Sequence, residues 1–318
     1  HGTYGAPTLL EPGFCALSML FSDWARVGRA DLRISNDRHY YVRGGAEQLW
    51  SLDPTPRLFT EDDGWLPHQL WGMGIASHDI NGDGWSEVYL TSMGDQRLQL
   101  RDPEAPTPTY TDAPFAQGTT AHRPYTGGDG RPSTGWHPAF GDVDNDGWVD
   151  LFVTKGNVEQ MPGSAMDDPN NLLMGQPDGT FVEAGLAAGI ATMDRSRGAA
   201  LADFNGDGLL DLAVINRGAP MELYENVTEN SGALLAVTLA QPGPNPHAIG
   251  AYLEVRAGDR LWVQERTIGG GHAGGTFGPL HVGLGDTTHV DITVHWPDGT
   301  ETSWSNIPTN QALTLTRP

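Results

Sequence analysis

An acidic nonapeptide recurs three times along the chain with its flanks intact. It reads DINGDGWSE from Asp79 to Glu87, DVDNDGWVD from Asp142 to Asp150, and DFNGDGLLD from Asp203 to Asp211. Each copy offers carboxylate or amide oxygens at positions one, three and five, a glycine at six and a carboxylate at nine. Each runs on into a β-type segment: Val88-Tyr89-Leu90, Leu151-Phe152-Val153 and Leu212-Ala213-Val214. A hard divalent cation such as Ca²⁺ takes about six to eight oxygens, and a tight loop lets alternate side chains converge on one point. The glycine permits the sharp turn. A single copy is compatible with a hydrogen-bonded Asx turn. Three copies, each set before a strand, predict three Ca²⁺ loops. The expected ligands are Asp79, Asn81, Asp83 and Glu87, then Asp142, Asp144, Asp146 and Asp150, then Asp203, Asn205, Asp207 and Asp211. The backbone carbonyls of Trp85, Trp148 and Leu209 are expected to complete the three sets.

A fourth, earlier copy keeps the frame and loses the chemistry. Asp23, Gly28 and Asp31 align with positions one, six and nine, but Ala25 and Val27 stand at the third and fifth ligand positions. Arg26 and Arg29 bring positive charge to the place a cation would take, so this copy is expected to bind no metal. The anchor glycines Gly28, Gly84, Gly147 and Gly208 are 56, 63 and 61 residues apart. A repeat of this period implies a repeat architecture.

Composition agrees. The chain has 318 residues, enough for one large or two modest cores. Its 42 glycines and 23 prolines suit short strands and many turns. No sustained 3.6-residue apolar period is present, and only Phe181–Ile190 reads as a short helix. The fold class is therefore all-β.

The formal charge is −22, from 18 Lys+Arg against 40 Asp+Glu. With no basic runs to neutralise phosphates, the sequence argues against a nucleic-acid or anionic-membrane partner. Three Ca²⁺ ions would offset six of those charges. The single cysteine, Cys15, excludes an intramolecular disulfide and sits between apolar flanks, as a small buried hydrophobe does. No apolar run is long enough to span a membrane. The chain opens on His1 rather than Met, as expected where an upstream segment has been removed or lies outside this sequence. Weak Ca²⁺ loops fill at extracellular calcium and stay empty in resting cytosol, which points to a secreted, extracellular or periplasmic setting.

Each repeat reads as about four short strands, the pattern of a propeller blade. A strand leads into the acidic loop, a second leaves it, and Arg97–Leu100, Asn171–Met174 and Glu222–Tyr224 supply a third. In the third repeat Gln176-Pro177-Asp178-Gly179 turns into a fourth strand at Thr180–Glu183. These units resemble FG-GAP/VCBS repeats, the calcium-loop blades also seen in integrin α-subunit propellers. Ser35–Tyr41 followed by Glu47–Trp50 resembles a blade of the bacterial CRTAC1-like proteins. Near the end, Gly250–Val255, Gln264–Gly271, Leu280–Gly285 and Val294–Gly299 are similar, in order, to an ASPIC/UnbV module. The resemblance implies β-propeller-type blades over 1–235, about four of them, and a C-terminal β module over 236–318. It also implies a secreted calcium-binding scaffold for adhesion, binding or assembly, with a protein or glycan partner and a possible oligomer. Family propellers commonly have more blades. A small ring, an open set closed by the C-terminal module, and closure by a partner chain all remain open at this point.

Other candidates are local. The long segment 101–138 shows no obvious strand, and its His122, Arg123 and Tyr125, with Trp136 and His137, are expected to contact a ligand. The same group would serve the alternative function, a carbohydrate-active lyase or dehydratase using a pocket on a propeller face. Trp65, Trp71 and Trp136 either pack in the core or form a sugar platform. Trp85 and Trp148 are expected to pack between blades. His272, within Gly269–Gly275, reads as part of a mobile loop or recognition tip. His1 could form a copper brace with a second histidine. Asn226-Val227-Thr228 is a glycosylation sequon. No G-x-S-x-G, H-E-x-x-H or C-x-x-C motif occurs, so no catalytic set is named.

Overall fold

The structure, a computed structural model, describes residues 2–37, 45–127, 130–275 and 277–318. His1, and Arg38–Tyr41 of the blade-like stretch noted above, lie outside the described residues. The described chain is all-β, with two short 3₁₀ turns at Glu61–Asp63 and Phe115–Gln117.

The first blade contains β1 (Cys15–Ser22), β2 (Asp31–Asp37), β3 (Gln48–Ser51) and β4 (Arg57–Leu58) in consecutive antiparallel order. Next along the chain come β5 (Gly74–His78), β6 (Glu87–Thr91), the short β7 (Met93–Gly94), β8 (Arg97–Arg101) and β9 (Tyr110–Asp112). The second blade is β5-β6-β8-β9. The third adds β10 (Ser133–Gly141), β11 (Asp150–Lys155), β12 (Asn171–Gly175) and β13 (Phe181–Glu183), with β7 on its inner edge. The fourth has three strands, β14 (Ser196–Ala202), β15 (Asp211–Asn216) and β16 (Glu222–Tyr224). Every acidic loop joins the first two strands of its blade. The equivalent closing pairs are Ser22↔Asp31, His78↔Glu87, Gly141↔Asp150 and Ala202↔Asp211.

Alternation along the strands decides what packs where. Tyr89 and Leu98 of the second blade meet Leu151, Val153 and Leu173 of the third. Phe152 and Leu172, on the opposite face of the third blade, meet Leu201, Leu212 and Val214 of the fourth. A hydroxyl ties each of these junctions: Thr91 Oγ1 donates to Trp136 O at 2.5 Å and Thr154 Oγ1 to Arg197 O at 2.7 Å. The register-equivalent residue in the fourth blade is Ile215, which is half exposed.

Two local expectations are corrected. Phe181–Ile190 is not a helix: Phe181–Glu183 forms β13, and a single turn (Ala188 N to Ala184 O, 2.8 Å) ends at Gly189, whose φ is 76°. The segment 101–138 is not strandless either, since it holds β9 and the first part of β10.

The C-terminal module begins with β17 (Ala233–Ala240), which straddles the expected division at 235/236 and pairs only with later strands. It continues with β18 (Tyr252–Ala257), β19 (Arg260–Glu265), β20 (Ile268–Gly269), β21 (Leu280–Gly285), β22 (His289–His295), β23 (Glu301–Pro308) and β24 (Gln311–Thr316). The sheets β21-β17-β24 and β19-β18-β22-β23 close on one core around Leu235, Val255, Val282, Ile292 and Trp296.

The blade sheets curl without closing into a ring, and the module reaches into their centre. β20 pairs with β1 at Leu20↔Gly269 and Phe21↔Ile268. Gly271 then exchanges two backbone hydrogen bonds with Ile75 of β5, at 2.7 and 3.1 Å. The glycine run is required there. A Cβ on Gly269 would stand 2.2 Å from Met19 O, and one on Gly271 2.1 Å from the His137 ring. Gly269–Gly271 is therefore hydrogen-bonded between β1 and β5, and not the recognition tip its composition suggested. A cavity of about 400 Å³ remains between module and blades, lined by His78, His137, Phe140, Glu265, Arg266 and His281 among others.

Candidate metal centre

All four loops share one hydrogen-bond frame. The carboxylate at position one accepts backbone N–H groups from across the loop, with the glycine at six bound in every copy. The glycine bonds are Gly28 to Asp23 (2.6 Å), Gly84 to Asp79 (2.9 Å), Gly147 to Asp142 (2.7 Å) and Gly208 to Asp203 (2.9 Å). Position three accepts from position five in the three acidic loops: Asp83 N to Asn81, Asp146 N to Asp144 and Asp207 N to Asn205, at 2.9, 3.2 and 3.0 Å. Position five accepts from position seven: Trp85 N to Asp83, Trp148 N to Asp146 and Leu209 N to Asp207, at 2.8, 2.7 and 2.9 Å. The ladder links alternate positions of the loop, the spacing from which side chains can converge on a cation.

The third loop gathers its carboxylates most tightly. Oxygens of Asp142, Asp144 and Asp146 lie within 4.8 Å of one another, the one such acidic group among the described residues. Burial, together with the neighbouring Asp150, pushes the Asp142 carboxyl upward, and burial raises Asp150 as well. The second loop shows the same crowding, with burial raising Asp79 to about 6 and Glu87 to about 8. Carboxylates that resist ionising beside one another are compensated by a bound cation, so this donor set fits a hard divalent ion.

In the second and fourth loops an amide occupies position three and turns its nitrogen into the acidic group. Asn81 Nδ2 donates to Asp83 Oδ2 at 3.1 Å and Glu87 Oε1 at 3.4 Å. Asn205 Nδ2 donates to Asp207 Oδ2 at 2.8 Å and Glu225 Oε1 at 3.4 Å. A cation would replace these amide hydrogens. Glu225 lies outside the nonapeptide, and no spacing pointed to it. Asp203, Asn205 and Asp207 are exposed, whereas Asp142 is buried.

The ninth-position carboxylates act as clasps. Asp150 accepts Val143 N and Gly175 N, and Asp211 accepts Phe204 N and Asn226 N, at 2.8 to 2.9 Å. Glu87 accepts Ile80 N at 3.1 Å. Each ties the loop's start to the next strand pair. Asn226 shares in this: its Nδ2 donates to Val143 O (2.8 Å) and Leu210 O (3.1 Å), so the sequon nitrogen is engaged between two loops.

The C-terminal module covers the loop end of the blades. Arg260 Nη2 and Trp262 Nε1 donate to Gly147 O at 2.8 and 3.0 Å, and Trp148 lies under the Arg260 guanidinium, 4.6 Å from its ring centre. Trp85 faces Arg101 and Arg26 at 5.3 and 6.0 Å. The two tryptophans thus pack against guanidinium groups and not simply between blades. Beside the third loop an open pocket of about 560 Å³ is lined by Asp144, Asp146, Glu229, Arg260 and Asp286.

In the first loop Asp23 keeps the frame, but Arg26 points away from the loop centre. Its guanidinium donates to Gly84 O (3.1 Å) and Glu254 (2.7 Å) and lies over the Tyr252 ring.

The five expected ligand-contacting residues separate into two groups. Trp136 and His137 are buried in β10: Trp136 Nε1 donates to Gly156 O, its ring packs edge-on to His272, and His137 Nδ1 accepts His272 N. Burial holds His137 down at about 4. His122, Arg123 and Tyr125 are exposed on the preceding segment, where His122 stacks on Phe115 and Tyr125 Oη donates to Gly118 O. Trp65 is buried against Arg33, and of the three platform tryptophans only Trp71 is well exposed.

Comparison with known proteins agrees with this architecture. The FG-GAP-like repeat family matches residues 79–153 and 163–214, and the FG-GAP repeat matches 197–234. The ASPIC and UnbV family matches 241–318. The chain is an FG-GAP-repeat protein with a C-terminal ASPIC/UnbV module. Among curated proteins it is similar to cartilage acidic protein 1 of Homo sapiens, 30% identical over 168 residues, 48% of this chain and 22% of that protein. The Mus musculus protein is 29% identical over 161 residues (48% and 22%), and the Xenopus tropicalis protein 33% over 107 (33% and 14%). The chain thus matches about a fifth of the length of its mammalian relatives. No helix of the described FG-GAP chain is long and apolar enough to cross a membrane.

Proposed function

We propose that this FG-GAP-repeat protein is an extracellular scaffold whose blades are stiffened by Ca²⁺ and which presents a protein- or glycan-binding surface. The convergence of Asp142, Asp144 and Asp146 within 4.8 Å carries the reading. These three, with the Trp148 carbonyl, would hold one ion, and Asp150 would fix the loop or join the set. Asp79, Asn81 and Asp83 with Glu87 and the Trp85 carbonyl would hold a second. Asp203, Asn205, Asp207 and Glu225, with Asp211 and the Leu209 carbonyl, would hold a third. The ion's part is electrostatic: it offsets the mutual repulsion of buried carboxylates and so favours the folded loop. Family membership and similarity to cartilage acidic proteins support an extracellular place and an adhesive or assembling role. Trp136 and His137 are buried in β10 while His122, Arg123 and Tyr125 are exposed, which does not favour the lyase or dehydratase alternative. Calorimetric titration with CaCl₂ tests the reading. About three ions per chain are expected, and absence of binding at millimolar Ca²⁺ overturns it.

A further inference from the structure

We propose that Asn145 links the third cation site to the fourth loop and to the C-terminal module, so that occupancy at Asp142, Asp144 and Asp146 is felt at both. The proposal rests on the calcium reading above. Asn145 is position four of its loop, between two ligand positions. The residues at this position have left-handed backbone in all four copies: Arg26 (φ 55°), Gly82 (75°), Asn145 (59°) and Gly206 (80°). Glycine takes this conformation freely, and the other two acidic loops use it. The third loop carries a side chain there instead, fully buried and bonded in two directions. Asn145 Nδ2 donates to Gly208 O of the fourth loop at 3.1 Å, and Oδ1 lies 2.7 Å from His281 Nε2 on β21.

The backbone around Asn145 is held as well, from just ahead of β17 and from the end of β21. Gly232 N donates to Asp144 O at 2.9 Å and Gly285 N to Asn145 O at 2.8 Å. The fit is close. A Cβ on Gly232 would stand 1.9 Å from Asn145 O, and one on Gly283 1.9 Å from Asp142 Oδ2. Drawing Asp144 and Asp146 onto an ion fixes the peptide units on either side of Asn145. That sets the direction of its amide toward Gly208 and His281. Coupling then follows because both neighbours contact one folded form of the loop.

Hydrogen exchange in CaCl₂ and in EDTA tests the link. The protein carries Asp207→Ala, which disables the fourth loop's own site, so protection there must arrive from elsewhere. Calcium is expected to slow exchange in 203–211 and in 280–284 by about tenfold, in the range of ordinary coupling free energies; Gly285 is left out because its N–H bonds the backbone carbonyl of residue 145. Adding Asn145→Gly keeps every third-site ligand and a residue suited to the backbone, so calorimetric binding at that site persists while both protections are lost. His281→Ala is expected to abolish the effect in 280–284 and leave that in 203–211. Transmitted protection that survives Asn145→Gly overturns the proposal. So does calcium binding in the Asp207→Ala protein with no protection outside the third loop. An absence of calcium binding to the unaltered protein overturns the calcium reading itself, and calorimetry distinguishes that failure from the other two.

Discussion

The first and third acidic loops have the same backbone and opposite chemistry. Asp23 and Asp142 each bind the glycine at position six, and Asp31 and Asp150 each anchor position nine. At positions three and five the third loop has two carboxylates where the first has Ala25 and Val27. The module answers each loop differently. It meets the third with donors: Arg260, Trp262 and the backbone of Gly285, with the Gly232 N–H just ahead of β17 adding another. It meets the first mainly with acidic acceptors: Glu265 takes Asp23 N–H and the Ser22 hydroxyl at 2.6 Å each, and Glu254 pairs with Arg26 at 2.7 Å, beside one donor, Tyr252 Oη to Asp23 O at 2.5 Å. The frame therefore forms without the ligand residues at positions three and five, and the proposed cation site would be an addition at those two positions of it.

The largest expected difference comes from removing calcium. A ligand at a hundredfold excess over its Kd stabilises the native state by about 2.7 kcal/mol per site. Three independent sites would give roughly 8 kcal/mol, comparable to the stability of a whole domain. EDTA is expected to lower the melting temperature strongly and to leave the first loop's amides as protected as before. A melting curve that EDTA does not move breaks the comparison at its root.

A smaller effect separates frame from ion. Asp23→Ala and Asp142→Ala each leave loop N–H groups without an acceptor, which costs about 1–3 kcal/mol for a buried group. In EDTA the two variants are expected to lose similar stability. In CaCl₂ Asp142→Ala should lose the cation contribution as well, about 2.7 kcal/mol more at hundredfold excess. Chemical denaturation in both buffers reads this directly, and equal losses in calcium would deny the third loop its ion.

The comparison sharpens if the first loop can be converted. Arg26 was expected to fill the cation's place, yet its guanidinium reaches the Gly84 carbonyl and Glu254 instead. Ala25→Asp with Val27→Asp should therefore add one ion to the calorimetric count. Its affinity is expected to be about tenfold weaker than in the third loop, equal to about 1.4 kcal/mol, because Arg29 remains nearby. An unchanged count would show that the frame alone does not aim side chains at positions three and five.

Much of this was legible in the sequence because the repeat writes its frame in residues with few alternatives. Asp at one, Gly at six and an acid at nine have geometric duties, and a period near 60 places them on equivalent turns. The all-β class and the strands flanking each loop followed from that. What stayed hidden depends on contacts distant in sequence. Asn145 carries no sequence signal of its own, since its partners Gly208 and His281 are 63 and 136 residues away. The run Gly269–Gly275 looked mobile because glycine marks both flexible loops and tight backbone approaches, and only the neighbouring Met19, Ile75 and His137 tell the two apart. His122 and His137 looked like one group because they are close in the chain, while β10 buries the second and leaves the first outside.

The smallest expected effect tests the acceptor side of the comparison through pH. Burial raises the Glu265 carboxyl from its ordinary 4.5 to about 7, with the nearby Asp23 carboxylate adding to the shift. The folded state therefore holds a proton that the unfolded chain releases at lower pH. The resulting stabilisation is fully present below about 4.5 and is lost as pH rises through about 7. Glu265→Gln keeps a neutral acceptor at every pH. Its stability relative to the unaltered protein is expected to rise between pH 5 and pH 8 by on the order of 1 kcal/mol. On the donor side, Arg260→Gln removes a hydrogen bond to the Gly147 carbonyl, which does not titrate, and is expected to show no such rise. Parallel pH profiles for the two variants would mean that the module grips the first and third loops by the same electrostatics, and the contrast between them would be geometric only.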